Sequence, residues 1–108
     1  MNLKEMAQNL EMEEGEFLDM LKLFLETALS DLGDLQSAWE KEDAIETAKA
    51  AHSIKGAAAN LGLTEIFEMA KISEMEARRN RLDRVWEWIQ TLRTELDRMA
   101  KDLEVGKQ

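Results

Sequence analysis

One histidine stands in this sequence, His52, with a lysine three residues to either side of it, Lys49 and Lys55. Most of its other neighbours are small: Ala48, Ala50, Ala51, Gly56, Ala57, Ala58 and Ala59. A neutral imidazole can act as a nucleophile, and ammonium groups beside it suit an anion once one is attached. The residue types are therefore those of covalent transfer of an anionic group. Within a helix the positions three and four before His52 would face it, and they hold Lys49 and Ala48, so no acid there pairs with the ring.

Other chemistries lack their residues. There is no cysteine, which excludes disulfides, thiolate metal sites and cysteine nucleophiles. A zinc site would have too few soft ligands. A di-iron bundle needs Glu-x-x-His pairs, and the position three before His52 is Lys49. No metal ligands are therefore assigned. No glycine-rich phosphate loop is present, so the chain is not expected to bind ATP or to have kinase activity of its own. The many acids fall at helical spacing and read as solvated faces, and the methionines read as core filler.

The element that must position His52 is a helix over about 44–61. Alanine is the best helix former, Asp43 and Glu46 make a capping-box pattern, and Asn60 with Gly62 supplies a stop. Thr47, Ala51, Ile54, Ala58 and Leu61 form one apolar stripe. At ~100° per residue, His52 points roughly 130° away from the middle of that stripe. Its own face carries Ile45, Ala48, Lys49, Lys55, Gly56 and Ala59. That face is neither a charged solvated face nor a bulky core face. Gly56 costs ~1 kcal/mol relative to alanine in a helix interior, which fits a surface kept flat for close approach.

The run His52-Ser53-Ile54-Lys55-Gly56-Ala57-Ala58-Ala59-Asn60-Leu61-Gly62 resembles the signature of histidine-containing phosphotransfer (HPt) domains, H-x-[hydrophobic]-K-G-x-[small]-x-x-[hydrophobic]-G, without a gap. The resemblance implies that His52 accepts a phosphoryl group from a phospho-aspartate and passes it on. It also implies that Lys55 supports the phosphate and that Gly56 leaves the gap through which a partner approaches. Lys49 is a further candidate on charge alone. Ser73 departs from the family pattern, where an apolar residue is common. The sequence is unlike the dimerisation helices of sensor kinases, which usually carry an acid after the histidine and a proline soon after; here Ser53 follows and the chain has no proline.

The remaining elements follow in order. A short helix over about 3–10, capped by Asn2, is expected to cover one end of a bundle, with the region near the histidine as one candidate place. A long helix over about 16–42 carries Leu18, Leu21, Leu25, Ala28, Leu32, Leu35 and Trp39 at 3-4 spacing, with a kink expected near Ser30–Gly33. Helices over about 64–79, with Thr64 as N-cap, and about 83–103 complete the set; Val105–Gln108 reads as a tail. Of Trp86 and Trp88, the first is expected to be the more buried. Arg78, Arg79, Arg81 and Arg84 read as helix-end and loop charge. The expected fold is an all-α, antiparallel up-down-up-down four-helix bundle with a short extra N-terminal helix, in one domain over 1–108. The HPt fold is also such a bundle.

The chain has 108 residues and a formal net charge of −9, which argues against nucleic acid and against an anionic membrane surface as partners. No apolar run approaches the ~18 residues that span a bilayer. The N-terminus lacks a signal-peptide pattern. A cytoplasmic, free-standing, monomeric domain is expected.

The expected function is that of a phosphorelay carrier in two-component signalling, moving a phosphoryl group between aspartates of response-regulator receiver domains, with a hybrid sensor histidine kinase upstream. Ile45, Ala48, Gly56 and Ala59 would form the contact surface. No cofactor is expected on the chain; Mg²⁺ would belong to the partner receiver. The alternatives are an acidic helical adaptor that docks a partner without phosphoryl chemistry, and the phospho-accepting domain of a chemotaxis-type kinase.

Overall fold

The computed structural model describes residues 1–105 and is all helical among them: α1 Leu3–Asn9, α2 Glu14–Glu40, α3 Ala44–Asn60, α4 Thr64–Arg78 and α5 Trp86–Val105, with a 3₁₀ turn at Leu82–Arg84. Helices α2 to α5 form the expected antiparallel bundle. Each packs on its neighbour in sequence, and α5 returns to α2 to close the ring. The molecule measures 41 × 27 × 17 Å. Met1 and Met6 border Gly62, Leu63 and Met99, so α1 covers the end where α3 runs into α4, about two helical turns along α3 from His52.

The stripes seen in sequence become the core. Phe17, Leu21, Leu32 and Leu35 of α2, Ala51 and Ile54 of α3, and Ile89, Leu92 and Leu96 of α5 are fully enclosed. On α4 the buried set is Ile66, Met69, Ala70, Ser73, Glu74 and Ala77, and Met75, read with the other methionines as core filler, is exposed. Ser73 sits in an apolar position because its hydroxyl donates to the Met69 carbonyl oxygen at 2.9 Å, so no polar group is left unpaired.

The helix ends differ from expectation where cap geometry decides them. Asp43 caps α3, its Oδ1 accepting from the Glu46 N–H at 3.0 Å. The preceding residue, Glu42, has φ 56° and ends α2 in a Schellman motif, Asp43 N–H to Ala38 O at 3.0 Å, so α2 stops at Glu40. Gly62, at φ +66°, ends α3 in the same way, with Leu63 N–H on Ala58 O at 3.0 Å. Leu63 is thereby both the end of one motif and the cap position of α4; Thr64 is the first helical residue and not the cap.

Helix α2 runs through Ser30–Gly33 without a break. The last helix starts at Trp86 and not at Asp83, because the Leu82 carbonyl is taken by the Trp39 indole N–H at 2.7 Å and by the Val85 N–H at 3.1 Å, which holds a 3₁₀ turn there. Trp86 stacks on Trp39 with ring centroids 4.5 Å apart; Trp88, like Trp86, is half-buried. Of the expected tail, Val105 belongs to α5 and the rest lies outside the described residues.

Candidate functional site

Helices α3 and α4 bury small residues, Ala51 and Ala58 on one and Ala70, Ser73 and Ala77 on the other. Interaxial distance follows the size of the side chains at the contact, so such a pair packs closely. That approach sets Glu74 of α4 beside the outer face of α3. The Glu74 side chain is only 7% exposed, and three donors from two helices converge on it. His52 Nδ1 lies 3.0 Å from Oε2. Lys55 Nζ lies 2.6 Å from Oε1. Arg78, one turn along α4, places Nη2 at 2.6 Å and Nε at 3.0 Å from Oε2.

Burial on its own would push the Glu74 carboxyl up. The hydrogen bonds from Lys55 and Arg78, the Lys55 charge and the His52 bond outweigh it and hold the carboxyl down at about 2, against an ordinary 4.5. Glu74 is therefore an anion at neutral pH, and an ionised carboxylate can only accept hydrogen bonds. The nitrogen facing it must carry the proton. In a neutral ring that leaves the lone pair on Nε2, the nitrogen away from Glu74. The His52 side chain is 61% exposed, so this arrangement offers a nucleophilic nitrogen at the surface.

The surroundings of the ring match the sequence reading in part. Gly56 and Ala59 are exposed, and a Cβ at Gly56 would meet nothing within 4 Å. Ile45 is 71% exposed. Ala48 is not part of this surface: although it lies one turn before His52 on the same side of α3, it is 4% exposed and belongs to the core cluster. Lys49 is drawn to Glu46 at 3.3 Å on its own helix and joins none of the Glu74 contacts. Lys55 does not stand free beside the histidine but is paired with Glu74 and is 25% exposed. On the α2 side of the ring, Ser53 Oγ donates to Asp31 Oδ2 at 2.7 Å. The hollow between α2 and α3, about 420 Å³, has four acids in its lining, Asp31, Asp34, Asp43 and Glu46, against two lysines, Lys41 and Lys49, and does not include His52; that excess of acid does not suit a phosphate.

Two members of the cluster, Glu74 and Arg78, are not found by reasoning along α3. Both left a signal in the sequence. Glu74 is an acid next to the buried stripe of α4, between Ala70 and Ala77, and Arg78 follows at i+4. A carboxylate in such a place has to be paired, because an isolated buried charge is too costly. Arg78 is accordingly part of the site and not loose charge at a helix end.

A family model described as Hpt domain matches residues 19–102, a span that includes every residue of the cluster and most of α2 to α5. Neither curated proteins nor solved structures provide a match.

Proposed function

Because the chain belongs to the Hpt domain family, whose members act in phosphotransfer within two-component phosphorelays, we propose that it carries a phosphoryl group on His52 Nε2, taking it from one receiver-domain aspartate and giving it to another. The observation that carries this reading is the ring itself: 61% exposed, and held by a buried carboxylate at Nδ1, the nitrogen other than Nε2. An adaptor that only docks a partner has no use for that arrangement.

The step is an in-line displacement. The Nε2 lone pair attacks the phosphorus of the acyl phosphate, the bond from phosphorus to the acyl oxygen breaks, and the aspartate leaves as a carboxylate with that electron pair. The Nδ1 proton stays in place, so the ring gains positive charge as the nitrogen–phosphorus bond forms, and Glu74 faces that charge. A buried acid does the same for a catalytic imidazole in hydrolytic triads. Lys55, one turn from His52, supports the phosphoryl oxygens. Return transfer reverses each bond.

Among the described residues no group of three or more His, Cys, Asp or Glu is placed to hold a metal ion. On this reading Mg²⁺ and the carboxylates that accept the phosphoryl group belong to the receiver. Ile45, Gly56 and Ala59 form the surface it meets. Lys49, paired with Glu46, serves at most as peripheral charge. No helix among the described residues is long and apolar enough to cross a membrane.

The test is incubation with a phosphorylated receiver domain and Mg²⁺. Wild type is expected to acquire an acid-labile, base-stable label, and His52→Gln none. Label persisting on His52→Gln would end the reading.

A further inference from the structure

The two oxygens of Glu74 hold different partners. Oε1 takes Lys55; Oε2 takes the ring of His52 and both Nε and Nη2 of Arg78. Lys55 is on the helix of the histidine, and a phosphoryl group on that ring competes with Oε1 for its ammonium. Arg78 is on the opposite helix and shares the oxygen that orients the ring.

We infer that Arg78 is a positioning residue of the transfer. It holds Oε2 towards Nδ1 already in the resting protein, and it keeps Glu74 ionised when Lys55 turns from the carboxylate to the phosphoryl oxygens. The inference rests on His52 as the carrier. Its physical basis is the burial of Glu74. A carboxylate in such a place that loses its cations takes up a proton, and a neutral acid no longer offsets the charge of a phosphorylated ring. Once Lys55 has moved, Arg78 is the cation left on Glu74 among the described contacts: Lys49 is with Glu46, and Arg84 lies towards Glu76. Arginine suits the task because it stays charged and presents its donors as a rigid fork; here two of them converge on one oxygen.

The experiment uses the full chain with Arg78→Gln and Arg78→Lys. The ring tautomer of unphosphorylated protein is read from ¹⁵N shifts of His52. Phosphorylation is read with phosphoramidate, which transfers its phosphoryl group with loss of ammonia and needs no partner protein. Arg78→Gln is expected to move the ring from the Nδ1–H form to a mixture and to slow labelling roughly tenfold, the scale of one charged hydrogen bond. Arg78→Lys should recover most of both, since it restores the charge. Circular dichroism should be unchanged in both, because the Arg78 side chain is largely exposed.

A wild-type tautomer and labelling rate in Arg78→Gln would overturn the inference. Slower labelling with an unchanged tautomer would also overturn it, since Arg78 would then act other than through the ring. Wild type that phosphoramidate fails to label would instead end the carrier reading; the tautomer of Arg78→Gln would still decide whether Arg78 acts on the ring.

Discussion

Glu74 gathers the side chains of His52, Lys55 and Arg78 around one carboxylate. Its carboxyl lies near 2 in the folded protein against 4.5 ordinarily. A depressed carboxyl contributes stability that is fully present above its unfolded value and is lost as pH falls through its folded value. The window is therefore from about pH 4.5 down to about pH 2, and the most that can be lost is ~3 kcal/mol at 1.36 kcal/mol per unit. In Glu74→Gln that loss should vanish. Urea midpoints at pH 7 and pH 3 should differ less in the variant than in wild type. Equal differences in the two proteins would mean that the cluster contributes nothing to acid stability. The same substitution removes the anion that fixes the ring, so a slower transfer is expected beside the flatter pH dependence.

At the scale of the element, α3 is two helices in one: an apolar stripe of Thr47, Ala51, Ile54 and Ala58 that builds the core, and an outer face of small residues around His52. Gly56 belongs only to the second. A Cβ there meets no neighbour within 4 Å, so no packing contact requires the glycine. Gly56→Ala is expected to raise stability by up to ~1 kcal/mol, read as a higher melting temperature. Gly56→Glu should keep its circular dichroism spectrum and its labelling by phosphoramidate while losing transfer from a phosphorylated receiver. Transfer from the receiver at the wild-type rate would show that the contact face lies elsewhere. Ala48 illustrates the limit of a helical wheel at this scale. Its angle places it beside His52, yet it is enclosed, because how far a neighbouring helix wraps the flank of α3 is not written in α3.

For the whole molecule, the apolar core and the site occupy different layers that meet at the buried Glu74. The core lies between the helices, and the site lies outside α3 and α4. Leu96→Ala, in the fully buried part of α5, should cost ~2–5 kcal/mol. That is a large share of the ~5–15 kcal/mol that holds a domain of this kind. Under conditions where the variant is still folded, its labelling by phosphoramidate should match wild type. A slowed rate at full helicity would show that core and site are coupled.

The bundle, its helix order, the outward histidine and the open glycine were legible in the residues alone, because 3-4 periodicity, caps and small-residue runs are local properties of a helix. Four particulars were not: Glu74 on the ring, Arg78 behind it, Lys55 drawn to the carboxylate and Ala48 enclosed. The contacts of His52 and Lys55 with Glu74 depend on the packing of α3 against α4, where residues 22 positions apart such as His52 and Glu74 come within hydrogen-bond distance. Local sequence determines which face a helix presents. Which charges meet across two helices is decided only when the core sets their spacing and register.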